Sequence, residues 1–168
     1  MMDSIALSKA VILKALQDLS DELAKQNVKG EICLFGGTVM VLAFATRVST
    51  KDVDAIFQPS QAIRVLAEKI GDANQLPAGW LNDGVKGFIS ARHNVIQGNL
   101  PQYPNLALTM PTPEYLLAMK CMASRIDTEG GEGGDVRDIL FLIRHLHLKS
   151  AEVVMNIVAE YYPPNRIR

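Results

Sequence analysis

Ile32-Cys33-Leu34-Phe35-Gly36-Gly37-Thr38-Val39 and, a little further on, Lys51-Asp52-Val53-Asp54-Ala55-Ile56-Phe57 decide the fold of this chain. The run from Ile32 to Phe35 is apolar, flanked by Gly30 and Gly36, and too short for a helix. Such a run is expected to be a buried strand. Gly36-Gly37-Thr38 then breaks the chain, and the apolar residues from Val39 to Thr46 suggest a short helix. From Lys51 to Phe57 acidic and apolar residues alternate with period two before Pro59, which is the pattern of a half-buried strand.

Working outward, Ile12, Leu16, Leu19 and Leu23 recur at helical spacing. They predict an amphipathic helix from about Ser4 to Gln26. After Pro59, Ser60 is placed to cap a helix whose inner face carries Ile63, Leu66 and Ile70. Between residues 71 and 100, Leu76-Pro77-Ala78-Gly79 and Asn82-Asp83-Gly84 read as turns and Lys86 to Ser90 as a strand. Leu106 to Thr109 is a further strand, and Thr112-Pro113 is a cap followed by proline at the first position of a helix running to Arg125. A glycine-rich acidic connection, Asp127 to Gly134, leads to a helix over Asp135–His147, and Ser150 caps a last helix ending near Tyr161. The order predicts an α/β (or α+β) fold, with a short mixed sheet, flanking helices and a C-terminal helical annex. Residues 1–110 would form the core and residues 111–168 a helical part packed on it as one compact unit.

With 168 residues, 48% of them hydrophobic, the chain can bury one sizeable core. A net charge of -1 provides no global basic field for nonspecific nucleic-acid binding, although a local patch would still suffice for RNA. Cys33 and Cys121 lie in apolar runs without metal-ligand spacing, so both are expected to be reduced core residues. No basic region leads a signal segment and no apolar stretch approaches the roughly 20 residues needed to span a bilayer. The expectation is a cytoplasmic protein with no membrane association.

Paired glycines alone carry little information, because about one such pair arises by chance in a chain of this size. Between a strand and a helix, however, their backbone N–H groups can converge on an anion, and Thr38 adds a hydroxyl. Asp52 and Asp54, two apart on an extended segment, would project to the same side. Two close carboxylates repel unless a cation lies between them, and Mg2+ prefers carboxylate and phosphate oxygens. A solvated edge strand is the competing explanation for the two aspartates, and a tight turn for the glycines.

Together these motifs resemble the nucleotidyltransferase superfamily related to DNA polymerase beta, whose signature is Gly-Gly/Ser followed by an Asp-x-Asp strand. Phe35-Gly36-Gly37-Thr38-Val39, Arg47-Val-Ser-Thr-Lys-Asp-Val-Asp54 and Lys120-x4-Arg125 look like the AbiEii-type nucleotidyltransferases of abortive-infection and toxin-antitoxin systems, which are bacterial. The resemblance implies that Gly36, Gly37 and Thr38 hold the triphosphate of an NTP and that Asp52 and Asp54 hold Mg2+. It also implies that Arg47 and Lys120 neutralise phosphate charge, and that Asp138 orients Lys120 or accepts a proton. The implied activity is transfer of a nucleotide from an NTP to a hydroxyl of RNA, such as tRNA, or of a protein. A cognate antitoxin or a second copy of the chain would be the protein partner.

The superfamily usually places a third carboxylate on a strand next to the Asp-x-Asp strand, but neither Leu106–Thr109 nor Lys86–Ser90 carries one. Asp83 or Glu114 could stand in. If neither does, the alternative is a catalytically silent module that binds a nucleotide, RNA or a partner protein, and a third reading is an antitoxin or scaffold. Bland readings also exist for single residues. Lys120, amid the apolar run Tyr115–Ala123, could snorkel, Asp138 could complement a helix dipole, and Trp80 could cap the core. Asn82 and Lys86, with Trp80, could instead contact an acceptor or base.

Overall fold

The computed structural model describes residues 6–126 and 133–164. Most of the Asp127–Gly134 connection, from 127 to 132, lies outside the described residues, as does Ser4. The chain divides into two compact units. One comprises the residues up to Lys86 together with Gln97–Met110, and the other comprises Gly87–Ile96 together with the residues from Pro111 onward.

In the first unit, β1 (Leu7–Ser8) leads into α1 (Lys9–Lys25). The helix therefore starts later than its apolar spacing suggests. Ser8 caps it by accepting from the Val11 N–H at 3.3 Å, and Leu7 pairs with Thr50 in an antiparallel ribbon formed with β3 (Ser49–Thr50). The inner face of α1 buries Ile12, Leu16, Leu19 and Leu23 as expected.

The strand predicted from the apolar run is β2 (Gly30–Leu34), with Ile32, Cys33 and Leu34 all buried. It lies between β4 (Val53–Gln58), which is antiparallel to it, and β7 (Leu106–Pro111), which is parallel. This central position explains an apolar run without alternation. β4 does alternate, with Val53, Ala55 and Phe57 buried and Asp54 and Ile56 less so. On the far side of β4 lies β5 (Leu81–Asn82), parallel to it, so four strands run in the order β5-β4-β2-β7. The sheet is mixed, and with helices on it the fold is α/β, as predicted.

α2 (Gly36–Leu42) begins directly at the glycine pair, three residues before Val39. α3 (Ser60–Asn74) buries Ile63, Leu66 and Ile70, but Ser60 is its first helical residue and Pro59 its cap, with no side-chain cap bond. α3 is tied to α1 by Lys69 to Glu22 at 2.7 Å and by Asn74 to Asp18 at 3.1 Å. The predicted strand at Lys86–Ser90 is instead a 3-10 turn over Gly84–Phe88, and Asn82, read as a turn residue, belongs to β5.

The second unit holds β6 (Val95–Ile96), α4 (Pro113–Ile126), α5 (Gly133–His145) and α6 (Ala151–Tyr161). Thr112 and Ser150 cap as predicted, accepting from the N–H groups of Tyr115 and Val153. Residues 87–96 join this unit through polar stitches. Tyr115 Oη accepts from the Ser90 N–H at 3.1 Å, and Asn94 donates to Tyr161 Oη at 3.1 Å. Tyr162 Oη donates to the Phe88 carbonyl. Tyr115 and Tyr161 stack with ring centroids 5.1 Å apart.

Candidate functional site

The glycine turn and the acidic segment meet in the first unit. Gly36 has φ +61, in the left-handed region, and a Cβ there would stand 3.2 Å from Asp54 Oδ2. Only a residue without a side chain adopts that backbone at little cost while leaving the carboxylate its room. A Cβ on Gly37 would lie 2.6 Å from Thr50 Oγ1 and 2.9 Å from Arg47 Nη1. The pair is therefore a place where a carboxylate, a hydroxyl and a guanidinium crowd against bare backbone.

Thr38, expected to hold the triphosphate with the glycines, is instead fully buried, and its hydroxyl donates to the Asp52 carbonyl at 3.4 Å. Thr50 donates to the same carbonyl at 3.3 Å. These bonds fix the backbone of Asp52, which lies just before β4 rather than on it. Strand periodicity therefore does not by itself align Asp52 with Asp54. Asn82, on the neighbouring strand, is the register partner of Asp54. Burial pushes the Asp52 carboxyl above its ordinary range, opposed by the Asn82 hydrogen bond and by the charge of Lys51.

The strand beside Asp54 presents an amide, Asn82, at the position in register with it. Asp83, the adjacent acid, is engaged by Arg64 at 2.9 Å and Lys86 at 2.7 Å, which hold its carboxyl down at about 2. Among the described residues no group of three His, Cys, Asp or Glu gathers as a metal site. The oxygen donors of Asp52 and Asp54 suit one hard cation that takes its other ligands from phosphate and water. A cleft of about 310 Å³ opens beside β5, lined by Arg64, Glu68, Asp72, Trp80 and Asn82 among others. Trp80 itself is core, 2% exposed, with its indole N–H donating to the Ala67 carbonyl at 2.8 Å.

Lys120 and Asp138 are brought together within the second unit. Lys120 Nζ lies 2.7 Å from Asp138 Oδ2, with side chains 7% and 3% exposed. The lysine does not snorkel, and Asp138 serves a partner rather than a helix end. Cys33 is buried, and burial pushes its thiol up to about 11 against a hydrogen bond with Thr109; Cys121 is only partly buried.

Asn82 is the residue of this region whose position the sequence revealed least. Its Asn-Asp-Gly context is a turn signal, and only the pairing of β5 with β4 reveals its position.

Among the described residues no helix is long and apolar enough to cross a membrane. No curated protein and no solved structure matches this chain. A family described as "Nucleotidyltransferase of unknown function (DUF6036)" matches residues 11–125, which include the glycine turn, both aspartates, Arg47, Asn82 and Lys120. The match covers well over half of the chain, and the chain belongs to this nucleotidyltransferase family.

Proposed function

We propose that this protein transfers a nucleotide from an NTP to a hydroxyl group, with Asp52 and Asp54 holding Mg2+ and Gly36 and Gly37 receiving the triphosphate. The supporting observation is the glycine pair itself, which keeps backbone clear beside the Asp54 carboxylate while Arg47 stands against the same turn. In the proposed step the acceptor oxygen attacks the α-phosphorus, the bond to the β-phosphate breaks, pyrophosphate leaves, and the hydroxyl proton passes to a base or to water. Such chemistry needs mainly alignment and charge stabilisation. Bound Mg2+ would supply that charge.

Each residue has a task in this scheme. Asp52 and Asp54 bind and orient, Thr38 and Thr50 hold the Asp52 backbone in place, and Arg47 offsets phosphate charge. Lys120 and Asp138 are carried into the same chemistry by resemblance, Lys120 as a positive charge and Asp138 as its orienting partner. The acceptor classes are RNA, including tRNA, and protein side chains. An AbiEii-type role with a cognate antitoxin follows from the same resemblance.

A second function, a catalytically silent module binding a nucleotide, RNA or a partner protein, is favoured by one observation: among the described residues no third acid gathers with Asp52 and Asp54 as a metal site. Incubation with α-labelled NTPs, Mg2+ and total RNA or cell lysate separates the two. Transferase activity predicts a labelled acceptor that disappears with Asp54→Ala. Mg2+-dependent NTP binding without a labelled product would identify the silent module, and labelling that survives Asp54→Ala would remove this site from consideration.

A further inference from the structure

We infer that Thr50, rather than Thr38, supplies the hydroxyl that binds the triphosphate beside the glycine turn, by turning from the Asp52 carbonyl to a phosphate oxygen. This role rests on the proposed placing of the triphosphate at Gly36 and Gly37.

Two hydroxyls converge on one acceptor. Thr38 donates to the Asp52 carbonyl at 3.4 Å and Thr50 donates to it at 3.3 Å. Both contacts exceed the roughly 2.5–3.0 Å of a good O–H···O bond, and a carbonyl that has two donors stays paired when one of them leaves. The two threonines differ in which can leave. Thr38 lies within α2 and is fully buried, so its hydroxyl has no route to a bound molecule. Thr50 is only half-buried, and it faces the turn. Its Oγ1 stands 2.6 Å, and its Cβ 3.2 Å, from where a Cβ on Gly37 would lie, and Arg47 Nη1 stands 2.9 Å from the same point. A hydroxyl and a guanidinium thus flank one stretch of bare backbone.

The backbone of Thr50 is held independently of any ligand, because β3 pairs it with the fully buried Leu7. Only the hydroxyl has to rotate. A hydrogen bond to a charged phosphate oxygen is shorter and roughly twice as strong as one to a neutral carbonyl. A triphosphate arriving over the turn therefore draws the Thr50 proton away from Asp52, while Thr38 keeps the Asp52 carbonyl paired and the metal-binding segment in place. The two threonines divide the work between ligand and backbone.

The test is calorimetric titration of a non-hydrolysable NTP analogue in Mg2+. Thr50→Val keeps the branched shape and removes the hydroxyl, and it is expected to bind the analogue about tenfold more weakly, the order of one hydrogen bond to a charged group. Thr50→Ser should retain wild-type affinity. Thr38→Val should lose less than Thr50→Val, since Thr50 or water remains for the Asp52 carbonyl. Melting curves without ligand establish that the variants are folded, and Thr50→Ala provides a second hydroxyl-free replacement that should behave like Thr50→Val. Wild-type affinity in folded Thr50→Val or Thr50→Ala would overturn the inference. So would a loss in folded Thr38→Val that equals or exceeds that of Thr50→Val, because both hydroxyls would then act only through Asp52. In either event the proposed function still stands if Asp54→Asn weakens the Mg2+-dependent binding. No binding by wild type, or binding unaffected by Asp54→Asn, overturns both.

Discussion

The Asp54 carboxylate approaches the bare Cα of Gly36 so closely that a methyl group there would stand 3.2 Å from Oδ2, on a backbone with φ +61. The acid and the turn are thus one structural object. Gly36→Ala is expected to cost about 1–2 kcal/mol from the left-handed backbone and to push the carboxylate aside. Thermal melts should show the loss, and calorimetry should show weaker Mg2+-dependent NTP binding. Unchanged NTP binding would dissociate Asp54 from the nucleotide.

Gly37→Ala meets harder obstacles, Thr50 Oγ1 at 2.6 Å and Arg47 Nη1 at 2.9 Å. The long arginine can swing away, but Thr50, whose hydroxyl holds the Asp52 carbonyl, must shift too, so the guanidinium leaves the turn and the Asp52 backbone is loosened. NTP affinity is expected to fall by about tenfold, the order of a single charged contact, and Arg47→Ala should reproduce most of that fall. An Arg47→Ala variant with full affinity would place the arginine outside the site.

Lys120 and Asp138 form a buried pair at 2.7 Å. Removing one partner takes this contact from a buried charge, so Lys120→Met and Asp138→Leu should each destabilise, by up to about 3–5 kcal/mol. The double replacement should be milder than the sum of the two. Chemical denaturation of the four proteins gives this coupling, and additive losses would show that the two charges do not depend on each other.

Glu22 joins α1 to α3, and hydrogen bonds from Lys25 and Lys69 lower its pKa from 4.5 to about 2. A carboxylate depressed in the folded state binds fewer protons there than in the unfolded chain, so it contributes stability above pH 4.5 and loses it as the pH falls toward 2. Glu22→Gln should lower the melting temperature slightly at pH 7, and the difference from wild type should shrink across that acidic window. A difference independent of pH would assign the effect to packing.

The sequence was most informative where the pattern is local. The apolar run Ile32–Leu34 became the central strand, and the caps at Thr112 and Ser150 lie where their side chains predict. Periodicity failed at the edges of elements. Ser8, rather than an earlier residue, starts α1, because Leu7 is drawn into pairing with Thr50. Asp52 falls outside the strand that its alternation suggested, because its carbonyl is held by Thr38 and Thr50. The strand that holds Asn82 was illegible because a two-residue strand carries almost no periodic signal and exists only through its partner. Lys120 was legible as one charge in an apolar helix, whereas its contact with Asp138 depends on tertiary packing and was expected only from the resemblance.

The most direct measurement is a crystal structure of the protein with Mg2+ and a non-hydrolysable NTP. A metal ion bound by Asp52 and Asp54, with the triphosphate over Gly36 and Gly37, is the expected result. A triphosphate bound elsewhere, with both carboxylates facing only water, would contradict it.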